Sequence, residues 1–131
     1  MSERIGRCQC GEIRVICQGE PVRVGVCHCW ECQRRSGGPF AVQARWETKN
    51  VRTEGTPKEW SRTGDEGTTA TFRFCGTCGS TVWYTNEGMP ELIAVAYGAF
   101  NDLTLPPPKY SVYEVRRHKW VRLPDDIEHL D

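Results

Sequence analysis

The sequence predicts an all-β domain built from antiparallel sheets, with helix confined to short turns. Apolar and polar residues alternate with period two in several short runs rich in β-branched and aromatic side chains. Gly, Pro, Asn and Asp punctuate these runs at the spacing of hairpin loops. No window of a dozen residues carries the 3.6-residue apolar stripe of an amphipathic helix. In chain order the strands are expected in "EIRVIC" (12–17), "VRVGVC" (22–27), "FAVQARWE" (40–47), "TATFRFC" (69–75), "STVWYT" (80–85), "LIAVAYGAF" (92–100) and "SVYEVRRHKWVRL" (111–123). The segment "WECQRRS" is the best candidate for a helical turn. "LTLPPPKY" (103–110) reads as a connection inside one domain, because the strand-like run after it is too short to fold alone.

A length of 131 residues suits a single domain over residues 1–131, since two separate cores would each be marginal. The apolar share is only 38%, and 13 Gly and 8 Pro dilute it further, so apolar burial needs support from another source. Seventeen basic and seventeen acidic side chains cancel, which removes the positive field that accompanies nucleic-acid or anionic-membrane partners. The opening "MSERIGRC" has no apolar stretch of signal-peptide length, and "LIAVAYGAF" is far short of the ~20 residues that span a bilayer. A soluble, cytoplasmic protein without nucleic-acid or membrane partners is expected.

In a reducing cytosol clustered cysteines are metal ligands more often than disulfides. The eight cysteines fall into "CQCG" (8–11), "CHCWEC" (27–32) and "CGTCGS" (75–80), with Cys17 left over. "CGTCGS" has the form of a zinc knuckle, in which two cysteines on a tight turn face one ion and glycine permits the positive φ that aims backbone N–H groups at the sulfurs. Tetrahedral zinc takes four ligands. Pairing Cys8 and Cys10 with Cys75 and Cys78 would make a closed, structural site that clamps the N-terminal strand to the middle of the chain.

Cys27, Cys29 and Cys32 then remain. Three protein ligands with a free fourth position is the pattern of catalytic zinc. Cys17 could close that site, but it shares one face of an alternating strand with Ile13 and Val15 and is better placed as a small core residue. His28 points away from the face that Cys27 and Cys29 share, so it is expected outside the ligand set. His118, among Arg116, Arg117, Lys119 and Arg122, fits a solvated tail, and His129 carries no readable role.

With these motifs in view, the sequence resembles the glutathione-dependent formaldehyde-activating enzyme family, whose members share a Mss4-like fold. The matching stretches are "CQCG", "CHCWECQRRSGGPF", "FRFCGTCGS" and "SVYEVRRHKWVRLPDD", in family order across nearly the whole chain. The resemblance implies a structural zinc on Cys8, Cys10, Cys75 and Cys78 and a catalytic one on Cys27, Cys29 and Cys32, two Zn2+ per chain. It also implies a small-molecule thiol or aldehyde adduct as partner. The reaction would join glutathione and formaldehyde into S-(hydroxymethyl)glutathione, or cleave that adduct as a carbon–sulfur lyase. Around such a centre "QRRSGGPF" would line the approach, with Ser36 and the Gly37 and Gly38 backbone as donors and Phe40 as a wall. Arg34 or Arg35 could meet a glutathione carboxylate. Two competing readings stand beside it: a zinc-stapled binding module without catalysis, and a protein in which both metal sites are closed and purely structural.

Overall fold

The computed structural model describes residues 2–131. A three-stranded sheet holds β1 (Glu3–Arg7), β2 (Arg14–Gln18) and β5 (Val51–Glu54), in the order β1-β2-β5. The remaining strands are β3 (Arg23–Cys27), β4 (Ala41–Glu47), β6 (Lys58–Thr63), β7 (Thr69–Phe74), β8 (Thr81–Asn86), β9 (Leu92–Ala96), β10 (Tyr110–Val112) and β11 (Glu128–His129). They form one eight-stranded sheet in the order β11-β10-β3-β4-β9-β8-β7-β6. The single α-helix among the described residues, α1 (Trp30–Ser36), covers the segment read as a helical turn.

Alternation decides which face each residue serves. On β4, Ala44 and Trp46 are buried toward the three-stranded sheet, where they pack with Val15 and Cys17 of β2, Val24 of β3 and Val95 of β9. Gln43 and Arg45 point to the other face. Trp46 is 1% exposed and anchors this core, with its indole N–H donating to Gly19 O at 3.1 Å and its ring 5.2 Å from that of Phe100. Cys17, 0% exposed, lies in this core, and burial pushes its thiol up to about 12. It is a packing residue here.

The sheets are not purely antiparallel. β10 runs parallel to β3, with Tyr110 opposite Gly25 and Val112 opposite Cys27, and β11 runs parallel to β10. The run 111–123 therefore yields only the end of a short strand. Tyr113 turns left-handed (φ 58°), and a 3-10 turn follows at Glu114–Arg116. The alternation there buries little: Val115 and Trp120 are 71% and 70% exposed, while Val121 is buried.

The tail returns to the sheet through β11, where Leu130 N donates to Ser111 O at 2.8 Å and His129 Nδ1 lies 2.7 Å from a Glu114 oxygen. The hydrogen bond to Glu114 raises the His129 pKa. Burial works against the Glu114 charge, but hydrogen bonds with Ser111 and His129 win and hold its carboxyl low. A raised histidine stabilises fully below its ordinary 6.5 and loses that contribution as pH rises through the folded value. A lowered carboxyl stabilises above its ordinary 4.5 and loses it as pH falls. Hydrogen-exchange protection of the Leu130 amide is thus expected to be greatest between those values and to decline as pH rises past the ordinary histidine value and through the raised one. Protection that stays flat or rises with pH, after correction for intrinsic exchange, would contradict this.

Candidate metal centres and the cavity beside them

Two turns from the two sheets meet at the first cysteine group. Cys8 follows β1 and Cys75 follows β7, so the cluster joins the sheets where neither has strand pairing to the other. The sulfurs of Cys8, Cys10, Cys75 and Cys78 all lie within 4.8 Å of one another, with Cys8 to Cys10 at 3.7 Å and Cys10 to Cys75 at 3.6 Å. A Zn–S bond of about 2.3 Å places the corners of a tetrahedron roughly 3.8 Å apart. Backbone N–H groups already face the sulfurs: Ile13 N to Cys8 at 3.3 Å, and Thr77 N and Cys78 N to Cys75 at 3.4 and 3.5 Å. Gly79 (φ 82°) closes the knuckle by donating to Cys75 O at 2.8 Å.

Four thiols this close cannot all ionise without a cation among them. Hydrogen bonds from Ser80 hold Cys78 down at about 5. The Glu12 backbone N–H favours the Cys10 thiolate, yet desolvation and the three neighbouring sulfurs push it up to about 12. A divalent cation removes this conflict, and the donor set fits zinc.

The second group is built by the end of β3 and the start of α1. Cys29 is the N-cap (φ −61°, ψ 155°), its sulfur accepting from Cys32 N at 3.3 Å, and Gly37 (φ 74°) ends the helix by donating to Gln33 O at 2.9 Å. The capping turn brings the sulfurs of Cys27, Cys29 and Cys32 within 4.8 Å of one another. Hydrogen bonds from Cys27 and Cys32 lower the Cys29 pKa, while Cys29 and Cys32 raise that of Cys27. The same conflict of charge arises here, and again a thiophilic cation fits. Among the described residues these two groups are the clusters of three or more candidate ligands.

His28 turns its ring away from the sulfurs and is fully buried, with Nε2 2.9 Å from Ser111 Oγ and its ring edge-on to Phe40 at 5.8 Å. His118 is exposed, yet Nε2 lies 2.8 Å from Gln33 Oε1, while Gln33 Nε2 donates to His28 O at 2.7 Å. The tail thereby braces α1 and the cysteine turn.

A cavity of about 1000 Å3 opens on the sheet face opposite the core, and Cys27, Cys29 and Cys32 line it. Register explains its walls. Arg23, Gly25 and Cys27 share one face of β3, with Arg45 opposite Arg23 and Gln43 opposite Gly25 on β4. Further along, Tyr84, Phe72 and Trp60 follow one another across β8, β7 and β6. Gln43 is 3% exposed; its amide nitrogen donates to Gly25 O (3.2 Å) and its oxygen accepts from Arg35 Nη2 (3.1 Å) and Tyr84 Oη (3.3 Å). Arg35 also places Nη2 3.4 Å from Cys32 Sγ, and its guanidinium lies 5.0 Å from each of the Phe72 and Tyr84 ring centroids. Burial raises the Tyr84 pKa, which keeps its hydroxyl a donor.

Of the segment read as the substrate approach, Arg34 and Arg35 line the cavity, and the turn after them does not. Ser36 Oγ donates to Phe40 O at 3.0 Å and accepts from Gly38 N at 3.2 Å, which ties off the end of α1. Ser36, Gly37, Gly38 and Phe40 are not among the cavity walls. Of the two arginines singled out, Arg35 lies against Cys32, while Arg34 is exposed and pairs with Glu31 at 2.9 Å. The sequence reading missed Arg23, Gly25, Gln43, Arg45, Tyr84 and Tyr110. The first two share the parity of Cys27 on one strand, a pattern visible in the sequence.

Residues 3–116 match the family described as glutathione-dependent formaldehyde-activating enzyme. The chain belongs to this family. The match contains every cysteine of both groups. The all-β architecture is consistent with the Mss4-like fold that the resemblance implied. A crystal structure of a Rhodobacter sphaeroides protein from a structural genomics programme is similar in fold, with TM-score 0.57 and 23% identity, covering 79% of this chain and 91% of that one. No curated protein matches the chain. For this formaldehyde-activating family member, no helix among the described residues is long and apolar enough to cross a membrane.

Proposed function

We propose that the chain is a single zinc domain that forms or cleaves the adduct of a small aldehyde with a thiol, in the manner of S-(hydroxymethyl)glutathione, as a carbon–sulfur lyase. The observation that carries this is a three-cysteine cluster in the wall of a large cavity, beside a four-cysteine cluster elsewhere that has its full ligand count. Cys8, Cys10, Cys75 and Cys78 would hold a structural ion. Cys27, Cys29 and Cys32 would hold a second, which when bound supplies Lewis acidity and a coordination position for a substrate sulfur.

The chain's own residues prepare the reaction. In the synthetic direction a thiol gives up its proton, its sulfur bonds to the carbonyl carbon, and the carbonyl oxygen takes up a proton; cleavage reverses each change. Arg35, against Cys32 and Gln43, sets a positive charge beside the accumulating sulfur charge. Tyr84 and Gln43 hold Arg35 there, and Phe72 underlies it. The Ser36–Phe40 turn supports α1, so its role in substrate binding is indirect.

Exchange between formaldehyde and its glutathione adduct, followed by NMR with and without protein, tests the reading. Wild type is expected to accelerate exchange and Cys29→Ser to return it to the protein-free rate. Equal exchange in all three samples would overturn the reaction and leave a zinc-stapled binding module.

A further inference from the structure

We propose that Arg23 and Arg45, with Tyr110 in contact with both, form an anion subsite that binds a carboxylate or phosphate at the far end of the thiol substrate. This rests on the reading of the Cys27, Cys29 and Cys32 centre as the thiol site.

The two arginines stand directly opposite each other on antiparallel β3 and β4, a placement that destabilises a sheet when the charges are alike. Nothing acidic relieves it. Among the described residues neither has a carboxylate within salt-bridge distance, whereas Arg4, Arg14, Arg34, Arg52 and Arg73 each do. The cavity as a whole is lined by six arginines against Glu31, Asp65 and Glu66. Glu31 is taken by Arg34. Asp65 and Glu66 lie on the β6–β7 turn, and the sheet order puts four strands between β3 and β6. Two like charges held together without a counter-ion, in the wall of a cavity, are a site for an anionic ligand.

The corner is also shaped. Arg45 is half-buried and donates to Tyr110 Oη at 2.8 Å and to Tyr84 Oη at 3.2 Å, which fixes its plane. Arg23 lies over the Tyr110 ring, 4.4 Å from its centroid. Tyr110 can lie flat on β3 only because residue 25 is glycine, since a Cβ there would come within 2.1 Å of the ring. The Tyr110 oxygen accepts from Arg45, so its own proton remains to be donated. Arg23 and Cys27 are four residues apart on one strand, roughly 13 Å. That span suits a thiol of two or three residues with an anionic end, and it gives small neutral thiols nothing to hold.

Calorimetric binding of S-methylglutathione and of its diethyl ester tests the subsite without a thiol, so the result is independent of metal ligation and turnover. Wild type is expected to bind the acid at least tenfold more tightly than the ester, and Arg23→Gln or Arg45→Gln to erase that difference. The acid's affinity should fall with added salt while the ester's holds, a readout that needs no variant. S-methyl-4′-phosphopantetheine, with its sulfur and phosphate at opposite ends of an extended chain, serves as the phosphate arm: tighter binding than S-methylglutathione assigns the subsite to phosphate, weaker binding to carboxylate. Equal affinity for acid and ester in wild type, or an acid affinity insensitive to both substitutions, would overturn the proposal. Loss of adduct exchange with probe binding intact would instead count against the reaction alone.

Discussion

Cys75→Ser is expected to leave the chain unfolded, or to lower its melting temperature by tens of degrees, with loss of one metal ion per chain. Cys75 is 0% exposed, lies 3.6 Å from the Cys10 sulfur and receives two backbone N–H groups. Its cluster joins two sheets that share no strand pairing. The binding free energy of a structural zinc is of order 10 kcal/mol, comparable with the whole net stability of a domain this size. Removing one of four ligands therefore removes most of the margin. Cys17→Ala is the control, because Cys17 is equally buried but lies outside both groups. It should cost about 1–2 kcal/mol, the scale of a small packing defect. Circular dichroism melts with metal analysis decide the comparison, and similar melting temperatures for the two variants would refute a structural ion at Cys75.

Cys29→Ser is expected to behave in the opposite way, folding normally while losing the second metal and returning adduct exchange to the protein-free rate. Cys29 does two jobs, as candidate ligand and as N-cap of α1. Serine is a favoured N-cap, so its oxygen can accept from Cys32 N as the sulfur does. An alcohol is not ionised at neutral pH and is a poor zinc ligand beside two thiolates. The substitution thus separates the jobs. Cys29→Ala removes both and should cost about 1 kcal/mol more in stability. Retention of two metal ions per chain in Cys29→Ser would show that the serine oxygen, or another group, completes the centre without the thiol.

The fold was legible wherever a strand buries one face. β3, β4, β7 and β9 fall inside runs that alternate in the sequence, and β2 and β8 overrun theirs by one residue, because Val, Ile, Trp and Phe on one side must meet the core. β1, β5 and β6 were not legible. Their sequences, "ERIGR", "VRTE" and "KEWSRT", are largely exposed and stand at sheet edges, so no apolar period marks them. The parallel pairing of β10 with β3 is equally silent, since it depends on where a proline-rich connection returns the chain.

The cysteine groups were legible because their spacing is local. Cys8 and Cys10, Cys75 and Cys78, and Cys27, Cys29 and Cys32 each sit within one turn, and the structure supplies only the meeting of the first two pairs. The cavity walls are different. Gln43, Arg45 and Tyr84 reach the site by register across β4, β9 and β8. Proximity in sequence pointed instead to the Ser36–Phe40 turn, where Gly37 in its left-handed conformation caps the helix and which does not line the cavity.

Cobalt substitution followed by thiol titration tests most directly whether the Cys27, Cys29 and Cys32 centre is open to a substrate sulfur. The prediction is two cobalt ions per chain, with added glutathione changing the absorption of one and leaving the other as it was, and the responsive one missing from Cys29→Ser. Two cobalt spectra that both ignore glutathione would contradict an open centre and make both ions structural.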